Sequence, residues 1–74
     1  MQKRLFSVVI EKDKDGYFAY CPNLQGCYTQ GDTYEEALEN IEDAIKLHIE
    51  DRLAEHISIP KVDSVSVTAV EVAV

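Results

Sequence analysis

An α+β fold of order β-β-β-α-β, one helix packed on a mostly antiparallel sheet, is what this sequence of 74 residues predicts. Three observations carry that reading. Near the N-terminus, Phe6, Val8 and Ile10 alternate with Ser7, Val9 and Glu11, the period of a strand. Asp13-Lys14-Asp15-Gly16 then separates two β-favouring runs with turn-forming residues. Further on, Tyr34, Ala37, Leu38, Ile41, Ala44, Ile45, His48 and Ile49 recur on one stripe at 100° per residue, the pattern of an amphipathic helix lying on a sheet.

The first strand is expected from Lys3 to Lys12, with Phe6, Val8 and Ile10 facing inward. Gly16 can take positive φ at the exit of the turn, and Tyr17-Phe18-Ala19-Tyr20-Cys21 resumes the sheet as the second arm of a hairpin. Pro22 and Asn23 interrupt the ladder, because proline lacks an amide hydrogen and asparagine tolerates a left-handed backbone, and Leu24 tucks back beneath the turn. Cys27 to Gln30 reads as a short third strand, ended by Gly31 through a sharp change of direction. Thr33-Tyr34-Glu35-Glu36 has the form of a capping box: the hydroxyl accepts from the amide three residues on, and Glu36 reaches back to the threonine amide.

A helix from Tyr34 to Glu55 would be roughly 30 Å long against ~17–20 Å for a short strand, so its last turns overhang the sheet. Leu47 and Leu53 then need cover from elsewhere. After Ile57-Ser58-Ile59-Pro60, the stretch Ser64–Val74 reads as a last strand whose apolar parity switches, from Val65, Val67 and Ala69 to Val70, Val72 and Val74. A valine-rich terminal strand is an edge, and bare edges pair. The expectation is a homodimer or larger homo-oligomer built through Leu47, Leu53, Val70, Val72 and Val74.

A single domain over residues 1–74 follows from the length, with no repeat or linker, and a chain this short buries only about 60% of its unfolded surface, which again favours a partner. Seven basic against fourteen acidic residues give a formal charge of -7. Such a field repels phosphate backbones, and the basic residues do not cluster, so direct nucleic-acid binding is not expected; a basic protein partner is. No apolar run approaches the ~18 residues of a membrane span and no export signal opens the chain, so the expected compartment is the cytoplasm, with Cys21 and Cys27 reduced.

No residue pattern points to catalysis, a cofactor or a metal. Cys21 and Cys27 lack the closer pairs and further ligands of a structural zinc site, and read as small core residues. His48 and His56 stand two helical turns apart, too far for a metal pair; the first reads as packed, the second as a cation at the helix end. The acids Glu35, Glu39, Glu42, Asp43 and Glu50 form a ridge opposite the apolar stripe, read either as a solvated face or as a surface for lysine and arginine. Among the acids of the strands, Glu11 and Glu71 are too few for an acidic catalytic centre.

The spacing Tyr17-x4-Pro22-x-Leu24-x-Gly26-Cys27-x-Thr29-x-Gly31-x-Thr33-x2-Glu36-Ala37 closely resembles the HicB family of antitoxins. The resemblance implies a degraded ribonuclease-H-like fold without nuclease activity, and binding and masking of HicA, a small basic ribonuclease that cleaves messenger RNA, within a type II toxin-antitoxin operon. Many such proteins also carry a C-terminal DNA-binding domain, which this short sequence is expected to lack. Expected contacts with a basic HicA-like toxin are Asn23, Leu24 and Gln25 in the loop and Glu35, Glu39, Glu42 and Asp43 on the ridge, chosen for exposure. The alternatives are an orphan regulatory or nucleic-acid-binding module using its sheet face, and a residual metal-dependent nuclease.

Overall fold

The computed structural model describes residues 4–59, 64 and 66–74. Three strands, β1 (Val9–Asp13), β2 (Gly16–Tyr20) and β3 (Tyr28–Gly31), form an antiparallel meander in the order β1-β2-β3, and one helix, α1 (Tyr34–Ala54), follows. Val9 stands opposite Tyr20, and Tyr20 opposite Tyr28. The first hairpin turns at Lys14 and Asp15, where the Asp13 carboxylate accepts from the Asp15 amide at 2.8 Å and Gly16 takes φ +133°.

β1 starts at Val9, later than the strand predicted from Lys3, a residue that lies outside the described ones. Beyond Tyr20 the partner strand turns away: the Cys21 amide donates to the Cys27 carbonyl at 2.9 Å, and Pro22 has no amide to offer. The Ser7 amide donates instead to Asn23 Oδ1 at 2.8 Å, so a side chain replaces the ladder there. Phe6 and Val8 still pack against the core, as their alternation requires.

At the other end of the meander, Gly31 does not adopt a left-handed conformation, which only Gly16 and Gly26 do among the described glycines. Its role is close approach, since an added Cβ would lie 2.5 Å from the Ala37 nitrogen. The first turn of α1 thus sits directly on the end of β3. Thr33 caps that turn, its Oγ1 accepting from the Glu36 amide at 3.1 Å. Glu36 reaches back one residue further than the capping box predicts, accepting from the Asp32 amide at 3.4 Å.

The helix closes at its C-terminus on a Schellman turn. The Ile57 amide donates to Arg52 O at 2.8 Å and the His56 amide to Leu53 O at 3.3 Å, with His56 at φ +59°. The Arg52 guanidinium also donates to Ser58 O at 3.2 Å, fixing the direction in which the chain leaves.

Ala19, Cys21, Leu24, Cys27, Ala37 and Ile41 form the buried core, contributed by β2, the loop after it and the first half of α1. Around them Phe6, Val8, Ile10, Tyr17, Ala44, Ile45 and Ile49 are only partly buried. The helix packs chiefly on β3 and β2 and least on β1, so the core thins toward β1 and the distal half of α1. Among the described residues the expected last strand is not formed: Ser66–Val74 joins no ladder and every residue of it is exposed, while Val65 of the predicted strand lies outside the described residues. Val67, Val70, Val72 and Val74 stay uncovered.

Candidate partner-binding surfaces

The capped start of α1 sets the orientation of the acidic ridge. Burying Ala37 and Ile41 against β3 and β2 turns the opposite side of the helix outward, and Glu35, Glu39, Glu42, Asp43 and Glu50 are all exposed along it. Glu35, Glu39 and Asp43 follow one another at intervals of four, so their carboxylates stack one turn above the next. Asn40, on the flank of this row, donates from Nδ2 to Gln30 O at 2.9 Å and ties the helix to β3.

The loop from Cys21 to Cys27 is built for packing as much as for contact. Its backbone is closed on itself, with the Leu24 amide donating to Cys21 O at 3.1 Å and the Cys27 amide to Leu24 O at 3.4 Å. Leu24 is 2% exposed, so the exposure on which its place among the partner contacts rested is absent. Asn23 is half-buried with its Oδ1 engaged by Ser7, while Gln25 is exposed. Gly26, at φ +78° with open space around it, makes the turn possible.

Leu47, Leu53 and Ile57 are exposed on the distal part of α1 and its exit, and Val67, Val70, Val72 and Val74 on the terminal segment. These apolar side chains are uncovered. The opposite face of the sheet from the helix carries a second apolar surface that sequence reasoning missed. Phe18 sits between Tyr20 and Tyr28, with ring centroids 5.9 and 6.0 Å away, and Tyr28 is 64% exposed. In Tyr17-Phe18-Ala19-Tyr20-Cys21 both parities are apolar, so alternation could not show which rings face out; pairing of Phe18 with Gln30 and of Tyr20 with Tyr28 does.

Cys21 and Cys27 are buried free thiols at the edge of the core, as their reading as small core residues requires. Burial pushes the Cys27 thiol above its ordinary pKa, and Cys21 beside it adds to the shift. Cys27 therefore favours its neutral, unreactive form. His48 is half-buried on the helix and His56 occupies the exposed left-handed position of the Schellman turn. Among the described residues, no three of His, Cys, Asp and Glu converge as a metal site, and no helix is long and apolar enough to cross a membrane.

Three strands, one helix, an acidic ridge and two open apolar surfaces make up a small α+β module. Comparison with known proteins gives the class a family. The model described as HicB_like antitoxin of bacterial toxin-antitoxin system matches residues 6–72, and the chain belongs to that family. UPF0150 protein ssr1765 of Synechocystis is 54% identical over 59 residues, covering 78% of this chain and 75% of that protein. A UPF0150 protein of Helicobacter pylori is 44% identical over 69 residues, covering 93% and 96%. Among solved structures, a chain of a HicA3 and HicB3 toxin-antitoxin complex superposes with a TM-score of 0.62 at 29% identity, covering 80% of this chain and 72% of that one. The meander-and-helix order is thus that of a HicB antitoxin.

Proposed function

We propose that this protein neutralises a HicA-type, mRNA-cleaving toxin by binding and masking it, without catalysis of its own and in the cytoplasm, as a homo-oligomer assembled through its distal apolar surfaces. The family and the HicA3–HicB3 neighbour support the role. The observation that carries the mode of binding is the exposed row Glu35, Glu39, Glu42 and Asp43 on a chain of formal charge -7. Such a row attracts a basic nuclease at long range and aligns it on contact. Gln25, at the exposed tip of the loop, completes the candidate surface. Leu47, Leu53, Val70, Val72 and Val74 are left for self-association.

The test is charge reversal at Glu35, Glu39 and Asp43 together, with toxin binding measured at low and moderate salt. All three are exposed, so the fold tolerates the change. The proposal expects binding weakened by at least about a hundredfold and growth protection lost, since opposite charges become like charges across the interface. Unchanged neutralisation by the folded variant would remove the ridge from the interface.

A second reading uses the aromatic sheet face. Phe18, Tyr20 and Tyr28 form a row of rings on which unpaired bases could stack. The formal charge of -7 opposes it. A mobility shift with operator DNA or single-stranded RNA at moderate salt separates the two readings.

A further inference from the structure

The face of the sheet turned away from α1 carries rings and carboxylates in register. Ala19 faces the core and is fully buried, so Phe18 and Tyr20 on either side of it point outward. Pairing across the meander then gives two outward rows, with Val9, Tyr20 and Tyr28 in one and Glu11, Phe18 and Gln30 in the next. In the row beyond, Asp13 pairs with Gly16, which has no side chain. A hollow opens there, lined by Asp13, Asp15, Gly16, Tyr17, Phe18 and Gln30. Phe18 is 39% and Tyr28 64% exposed, so ring surface beside the hollow is open to a ligand.

Rings alone would not choose an occupant, but their border does. Glu11, Asp13 and Asp15 are exposed along one side of them. The Asp13 carboxylate accepts from the Asp15 amide at 2.8 Å, which holds it in place at the rim of the hollow. Lys12 is turned to the other face of the sheet, its Nζ 5.9 Å from the centroid of the Tyr17 ring, and Lys14 stands in the turn. A base stacked here would bring its phosphate against these carboxylates, on a chain of formal charge -7. A cation meets the reverse: the ring face attracts it, and a carboxylate beside the ring adds a charge-assisted hydrogen bond. Arginine suits such a place better than lysine, since its planar guanidinium lies flat on a ring while its edge donates to carboxylates.

We infer that this face docks a basic protein segment through an arginine side chain, the guanidinium seated in the hollow by Asp13 and Asp15 and flat on Phe18, with apolar neighbours in the segment resting on Tyr20 and Tyr28. The acidic ridge lies on the far side of α1, so this is a second surface for basic chemistry, separate from the one proposed for toxin masking. A segment held here leaves the ridge open, and either surface can fail without the other.

The experiment is an NMR titration of the full, isotope-labelled chain at moderate salt with a short glycine-serine peptide carrying arginines, with the same peptide carrying neutral citrulline in their place, and with a short oligouridine. Amide shifts centred on Asp13, Asp15, Phe18, Tyr28 and Gln30 are expected with the arginine peptide, which should bind at least about tenfold more tightly than the citrulline peptide. Phe18→Leu keeps an apolar side chain but removes the ring, and Asp15→Asn removes a charge while leaving the backbone bond of the turn. Each should weaken the arginine peptide by at least about threefold. The ridge variant with charges reversed at Glu35, Glu39 and Asp43 should still show the same shifts, which keeps this test apart from toxin masking. Equal binding of the two peptides would overturn the inference by reducing the face to an apolar patch, and tighter binding of oligouridine would overturn it in favour of base stacking. Shifts on α1 alone would give the arginines to the ridge, and shifts at Phe18 and Tyr28 that follow protein concentration without peptide would put a second copy there; both refute it.

Discussion

Replacing Gly31 with alanine would place a Cβ 2.5 Å from the Ala37 nitrogen, 2.9 Å from its Cα and 3.0 Å from the Glu36 carbonyl carbon. All three atoms are backbone, so no rotamer change relieves the clash, and the first turn of α1 must lift away from β3. Overpacking of this kind costs ~1–3 kcal/mol. The lift also strains the Asn40 to Gln30 hydrogen bond and the Thr33 cap, each worth about 1 kcal/mol. A total near 3 kcal/mol is a large share of the roughly 4–11 kcal/mol expected for a chain this long. Gly26→Ala provides the contrast, because that residue has φ +78° but nothing within 4 Å of an added Cβ. Only backbone strain acts there, about 1 kcal/mol. Thermal unfolding at one fixed protein concentration should put Gly31→Ala about 12–24 °C below the parent and Gly26→Ala about 4–8 °C below. Equal shifts, or a larger one for Gly26→Ala, would refute the seating of α1 on the end of β3.

His56→Gly should stabilise the protein by about 1 kcal/mol, read as a raised urea midpoint, because His56 holds φ +59° in the Schellman turn where glycine is unstrained. Asn23→Ala should lower stability by about 1–2 kcal/mol by leaving the half-buried Ser7 amide without its acceptor, and a variant as stable as the parent would return Asn23 to a purely surface role. The raised pKa of Cys27 makes stability fall as pH rises. Below the thiol's unfolded value of about 8.5 both states are protonated and nothing changes; above it the unfolded state ionises first and is favoured, until the folded thiol ionises too. Cys27→Ala should flatten that alkaline loss in urea melts, and native thiols should react slowly with a labelling reagent that modifies the unfolded chain at once.

Local chemistry made much of this fold legible. The hairpin follows from Asp13 to Gly16, the helix start from Thr33, and the buried stripe from the spacing of Ala37 and Ile41, since each depends on residues within a turn or two of one another. What the sequence concealed was non-local. Gly31 reads as a turning point, yet its lack of a Cβ matters because Ala37 lies against it in space. Leu24 sits in a loop of polar and small residues and still belongs to the core, because the loop folds over the sheet end through its own backbone bonds. The valines from Val70 onward have the alternation of a strand, but a strand needs a neighbour, and alternation alone does not say which chain supplies it.

The exposed row on α1 was readable as a ridge from helical spacing, and its exposure follows from which side of the helix is buried. The aromatic face formed by Phe18, Tyr20 and Tyr28 was not readable, because a run that is apolar on both parities has no inward side until it is paired. Family resemblance likewise lies in the residues that shape turns and caps, whereas partner choice lies in the side chains those turns present.

Toxin neutralisation itself tests the account most directly. A HicA-type toxin is mixed with RNA and increasing amounts of this chain, with cleavage and complex formation followed together. Masking predicts a complex that withstands separation by size and cleavage that stops once the chain is in slight molar excess. Continued cleavage at full rate with folded chain in large excess would contradict it.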